Sequence, residues 1–220
     1  MKKIIIIVLI SIAVSCKSQI KNSTDKNKTN TMEKFDITFF KKFEKDENYT
    51  SSDKDIFYKL NDKRYRIQFY KEIQVEETNI NSPNIFYKIY YKNSNHLKSS
   101  GNDFYDFPIG ITKEYNENGE LIKETDYDKD YKFSIEDLQK KMKATYNVDI
   151  MDKKQTRSVS RTTIDPRIKF PYYQVLVNSG IASFTDYLLN GNTGEVIYKL
   201  SYVRDYEKDT VDEYIKSLKK

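Results

Sequence analysis

From Asp55 onward, apolar residues recur at every second position. Tyr65, Ile67 and Phe69 alternate with Arg64, Arg66 and Gln68. Ile85, Tyr87, Ile89 and Tyr91 alternate, less cleanly, with Phe86, Lys88, Tyr90 and Lys92. Successive side chains of a strand point to opposite faces, so this period specifies strands with one core face and one wetter face. Pro83 and residues 93–102, with Gly101, punctuate the runs as loops. The 220 residues suit one ordinary domain or two small ones. Only 38% of them are hydrophobic and 32% are charged, but 19 Tyr and 12 Phe supply large burial per residue. That burial argues against disorder throughout the chain.

The clearest local unit is 110–126. Ile111-Thr112-Lys113-Glu114-Tyr115 and Glu120-Leu121-Ile122-Lys123-Glu124-Thr125 flank Asn116-Glu117-Asn118-Gly119. Asn118-Gly119 supplies the positive φ that tight hairpin turns need. The set Gly110, Tyr115, Asn118-Gly119, Leu121 and Tyr127 resembles one repeat of the MORN-like family, in which a Tyr precedes an Asn-Gly turn. Repeat folds need several copies to bury a continuous core, and one is evident, so a plain hairpin is the other reading. Upstream, Phe35, Phe39, Phe40 and Phe43 stand at i, i+4, i+5 and i+8, which predicts a short amphipathic helix over 33–45.

The second half opens on a helix predicted over 134–146. Ser134 is placed to cap the N–H of Asp137, acidic Glu136 and Asp137 sit in the first turn, and Ile135, Leu138 and Met142 line one face. Strands follow over 157–164, 172–178, 182–189 and 195–204, with 190–194 as a turn between the last two. Asp209 is placed to cap a terminal helix carrying Val211, Tyr214, Ile215 and Leu218. The expected fold is α+β: antiparallel sheets with one or two packed helices. A capped helix, a basic strand, a Tyr-Gln-Val-Leu-Val strand and the run 187–196, YLLNGNTGEV, together resemble the PepSY and PepSY-like domains of exported bacterial proteins. Asn190 stands where that family commonly has an aspartate. The resemblance implies a small binding or inhibitory module without catalytic residues. It divides the folded chain into a mainly antiparallel β region, 35–128, and a PepSY-like α+β region with a C-terminal helix, 129–220.

Met1-Lys2-Lys3 followed by the apolar run 4–14 reads as an export signal, too short to span a bilayer as a helix. The run ends in Ala13-Val14-Ser15-Cys16, which resembles a bacterial, Bacteroidota-type lipoprotein signal. By that resemblance residues 1–15 are cleaved and Cys16, the only cysteine, carries acyl chains that anchor the mature protein in a membrane. Residues 16–34 then form a flexible, polar tether, roughly 55–60 Å long when extended. No acidic residue precedes Asp25, whereas some lipoproteins of this type bear an acidic cluster just after the cysteine as a surface-export signal. The expected location is therefore the periplasmic face of the outer membrane.

One Cys excludes a disulfide framework, and one His excludes paired-imidazole sites. Losing Lys2 and Lys3 reduces the net charge from +5 to +3, too little to argue for nucleic acid. No glycine-rich phosphate loop, zinc spacing or heme motif stands in the sequence, so no cofactor is implied. Asp126, Asp128 and Asp130, with Asp137 at the twelfth position, superficially follow a calcium loop. However, Tyr131 occupies the position of the bend glycine, and a solvated acidic strand end accounts for the pattern. His96 lies in a polar loop without partners at useful spacing. Tyr87, Tyr90, Tyr172 and Tyr173 are the candidates for a recognition face, those pointing outward being the ones to engage a partner. The expected function is a non-enzymatic envelope lipoprotein binding a protein or peptide. The alternatives are an immunity protein that inhibits a delivered toxin, and a carbohydrate-active enzyme with paired carboxylates.

Overall fold

A computed structural model describes residues 32–204 and 209–219. The expected signal segment, Cys16 and the tether as far as Thr31 lie outside the described residues. Eight strands form one meander in chain order: β1 (Glu44–Lys45), β2 (Asp55–Leu60), β3 (Lys63–Phe69), β4 (Ile73–Asn79), β5 (Asn84–Tyr90), β6 (Leu97–Phe104), β7 (Phe107–Tyr115) and β8 (Leu121–Asp126). Each strand is antiparallel to the next, as short links require.

The predicted helix over 33–45 shrinks to a single turn, α1 (Ile37–Phe40), capped by Asp36, whose carboxylate accepts the Thr38 N–H at 2.8 Å. The helical spacing of the phenylalanines has another cause. Phe35, Phe40 and Phe43 pack on Tyr65, Ile67, Val75 and Tyr90, closing one face of β3–β5 with aromatic clusters at 5–6 Å. The expected tether also ends earlier than Lys34. Leu97 N–H donates to Glu33 O, Phe35 N–H donates to Asn95 O, and Lys34 bridges His96, so 33–35 runs beside the start of β6.

The predicted loop 93–102 is also corrected, because 97–102 belongs to β6. Gly101 is there for close approach: a Cβ would stand 2.5 Å from Tyr87 Oη and 2.6 Å from Thr112 Oγ1. The hairpin expected over 110–126 forms, its first strand starting earlier at Phe107, but its turn differs. Asn116 O accepts Gly119 N–H, and Gly119 alone has positive φ (+80°). This gives a longer bulged loop rather than a two-residue Asn-Gly turn.

The second half follows the predicted order. Helix α2 (Ile135–Tyr146) opens with a full Ser134–Asp137 capping box and ends at Asn147 in the left-handed region. Four strands form a second antiparallel meander: β9 (Thr156–Thr162), β10 (Tyr172–Gly180), β11 (Ser183–Asn190) and β12 (Val196–Val203). Helix α3 (Thr210–Ser217), capped by Asp209, ends the described chain. Among the described residues the architecture is therefore mostly antiparallel β with three short helices.

The two sheets share a core. Leu138 and Met142 of α2 lie fully buried with Val159, Tyr173, Val175 and Leu189, and Phe104 of β6 joins the same cluster. Tyr105, in the β6–β7 turn with φ +54°, reaches across and donates to Ile150 O at 2.8 Å. Arg161 of β9 is the second joint. Its guanidinium lies 4.6 Å from the Tyr131 ring and 5.0 Å from Phe107, and donates to Asp128 Oδ1 (2.7 Å) and Pro108 O (2.5 Å).

Candidate functional site

The four-stranded sheet has two unlike faces. Val159, Tyr173, Val175, Tyr187 and Leu189 face α2. On the other face, Tyr172 and Leu188 lie under Val211 of α3 with Tyr198 and Tyr214 around them. Because α3 has only eight residues, it covers one part of this face and, among the described residues, leaves a hollow beside it. The hollow has a volume of about 350 Å³ and is lined by Ser158, Ser160, Gln174, Leu176, Asp186, Tyr202, Asp209 and Thr210.

Asp186 is the unusual member. It stands in β11, a central strand, with Leu176 opposite on β10 and Leu200 opposite on β12. It is only 3% exposed. Its Oδ2 accepts from Gln174 Nε2 (2.5 Å) and from the Thr210 hydroxyl (2.6 Å), the first residue of α3. Its Oδ1 is buried without a hydrogen-bond partner, the one such side-chain atom among the described residues. Burial pushes the carboxyl above the ordinary aspartate range. The hydrogen bonds from Thr210 and Gln174 oppose that rise, and the nearby charge of Asp209 adds to it.

A second hollow, about 200 Å³, adjoins the first and shares Leu176 and Tyr202 with it. Arg157, Phe184 and Arg204 complete its lining. The register passes from Leu176↔Ser158 to Val177↔Thr156, so Arg157 is the extra residue of a bulge, which re-aims a side chain. Its guanidinium lies 5.1 Å from the Phe184 ring, and that of Arg204 lies 6.0 Å away. An acidic hollow and a basic one thus lie side by side on one sheet face.

The tyrosines expected to form a recognition face are placed otherwise. Tyr172 and Tyr173 are neighbours in β10 and must point to opposite faces, yet both are buried because α3 covers one side and α2 the other. Tyr173 donates to Phe133 O (2.8 Å) and Tyr172 to Asp165 Oδ2 (3.2 Å). Tyr90 is buried under Phe35 and donates to Glu33 Oε1 at 2.7 Å; burial and that carboxylate raise its pKa strongly. Tyr87 is half-buried over Gly101, its hydroxyl 3.2 Å from Thr112 Oγ1. The structure does not bring these four residues together as one exposed surface.

The remaining candidates have structural partners. Asp128 accepts from Arg161 and from Gly110 N–H (2.9 Å), and Asp126 accepts the Asp128 N–H. No three metal-binding side chains converge among the described residues. His96 Nδ1 lies 2.8 Å from Glu117 O, joining the loop before β6 to the β7–β8 turn. Ser158 and Ser160 line the acidic hollow, while His96 belongs to the other sheet.

Sequence reasoning missed Asp186, but a signal existed. Phe184, Asp186 and Leu188 share one face of a strand whose residues 184–189 are all buried, so the aspartate interrupts an apolar stripe in a central strand. Together the fold and site define an antiparallel α+β chain with a charged double hollow on a partly covered sheet face. The whole sequence matches no family model, no curated protein and no solved structure. Among the described residues, no helix is long and apolar enough to cross a membrane.

Proposed function

We propose that this chain is a non-enzymatic lipoprotein of the bacterial envelope, anchored through Cys16 at the periplasmic face of the outer membrane, whose α+β domain binds a protein or peptide. One observation carries the binding half of this reading: the outer face of the second sheet is partly covered by α3, and beside α3 lies a polar double hollow whose lining includes Asp186, a buried carboxylate with one unpaired oxygen. Leaving such an atom unpaired costs stability, and costs of this kind concentrate at functional sites. The serines of the hollow have no imidazole beside them, because the single histidine pins a hairpin turn.

A pull-down from envelope extract with residues 33–220 as bait, confirmed by titration calorimetry, tests the binding reading. The expected result is one saturable partner. The anchoring half is tested separately: Cys16→Ser is expected to abolish acyl labelling and release the protein from the membrane fraction. Retention of that variant after a high-salt wash would refute anchoring through Cys16. A carbohydrate-active reading has one observation in its favour, since Asp186 and Asp209 line the same hollow. Release of reducing sugar by the wild-type protein, lost in Asp209→Asn, would replace binding with catalysis.

A further inference from the structure

The hollow over Asp186 is rich in acceptors and poor in positive charge. Around it stand two carboxylates, Asp186 and Asp209, the hydroxyl oxygens of Ser158 and Ser160, and the side chains of Gln174 and Thr210, both already committed to Asp186 Oδ2. A carboxylate offers about four lone-pair sites. Gln174 and Thr210 both bond Oδ2 and the Tyr187 backbone N–H also favours the charged carboxylate, while Oδ1 has no hydrogen-bond partner. An incoming anion would meet two like charges, and a neutral hydroxyl would leave the buried charge uncompensated. The two carboxylates in the lining therefore favour a group that carries positive charge.

The adjoining hollow has the opposite character. Arg157 and Arg204 both lie over Phe184, and neither has a carboxylate within ion-pair distance among the described residues. Guanidinium groups favour carboxylates through paired, parallel N–H donors. Leu176 and Tyr202 line both hollows and place an apolar strip between the acidic side and the basic side. The combined volume is in the range of small-ligand and peptide-residue sites.

We infer that this double hollow takes a zwitterionic peptide end, with a lysine-type ammonium over Asp186 and a carboxylate at Arg157 and Arg204. The assignment rests on the binding-module reading and names the chemistry of its ligand. Asp186 supplies the charge-assisted acceptor, Thr210 and Gln174 hold its carboxylate in place, and the bulge in β9 presents Arg157. No covalent step is involved.

The test uses the full-length protein in detergent and three probes: N-acetyl-alanyl-lysine, the same peptide with its side-chain amine acetylated, and the same peptide as its C-terminal amide. Titration calorimetry is expected to give a millimolar dissociation constant for the first, with binding weakened roughly tenfold or more for the second. The amide is expected to bind more weakly than the free acid. Asp186→Asn should erase the preference for the free amine, and the Arg157→Gln, Arg204→Gln double variant should erase the preference for the free carboxylate. Wild-type protein that binds the acetylated and free amines equally, or binds neither, overturns the assignment without reliance on any variant. If a partner from the pull-down binds wild type and Asp186→Asn equally, the binding reading stands and this site assignment falls. If no partner is captured and no peptide binds, both fall.

Discussion

Asp186→Asn keeps the shape of the side chain and removes its charge. Its amide oxygen can still accept from Gln174 and Thr210, so the β10–β11–α3 junction remains bonded. What changes is a buried carboxylate with one unpaired oxygen, whose folded-state pKa lies above its unfolded value near 3.9. The sign follows from proton binding. Between the unfolded and folded pKa values the native state holds the proton more tightly, so wild-type stability from this group falls as pH rises through that window. Below the unfolded value both states are protonated and the penalty vanishes. Above the folded value it is constant. Each unit by which the folded pKa exceeds the unfolded one is worth about 1.4 kcal/mol. Asp186→Asn is therefore expected to gain stability over wild type on going from acid to neutral pH by about that amount per unit. For a domain this size the gain corresponds to roughly 3 °C in Tm per kcal/mol. Urea melts of both proteins across pH 4–8, followed by circular dichroism, measure the difference directly, with equal m-values required for the comparison. A difference between the two proteins that stays flat with pH would refute the reasoning, because it would mean that Asp186 titrates alike folded and unfolded.

Leu138→Ala removes a fully buried side chain where α2 meets the second sheet, and is expected to cost about 2–5 kcal/mol in the same urea melts; an unchanged midpoint would show that the helix does not dock through that face. Arg161→Lys is expected to cost about 2 kcal/mol, because an ammonium lacks the planar fork that reaches Asp128 and Pro108 from separate nitrogens and has no flat face to lay against Tyr131 and Phe107; a change within 0.5 kcal/mol, the range of an ordinary surface substitution, would count against Arg161 as a joint between the sheets.

Local chemistry made most of the architecture legible. The period of two marked β3 and β5, and Ser134 with an acidic first turn marked α2. Asp209 marked α3, and the polar run 190–194 marked the last hairpin. Each depends on residues within a few positions of one another, so no knowledge of the fold is needed to read it. The same local logic failed where distant groups intervened. The phenylalanines at helical spacing follow the surface of β3–β5 rather than a helix, because burial on a sheet outweighs the weak tendency of a short helix to form. Gly101 looked like a loop residue and is a strand residue that clears space for a hydroxyl from β5.

The sequence alone determined the class of fold and, in the second half, the succession of a capped helix, four strands and a terminal helix, because periodicity and capping are short-range. The tertiary structure decided which polar groups matter. Tyr172 and Tyr173 became core only because helices cover both faces of their sheet, and strand alternation cannot count helices. Asp186 became the base of a site only because Gln174, twelve residues before it, and Thr210, twenty-four after it, converge on a single oxygen and leave the other unpaired. Such a convergence is set by the register of two strands and the placement of one short helix, and the energy of a buried charge depends on everything within reach of it.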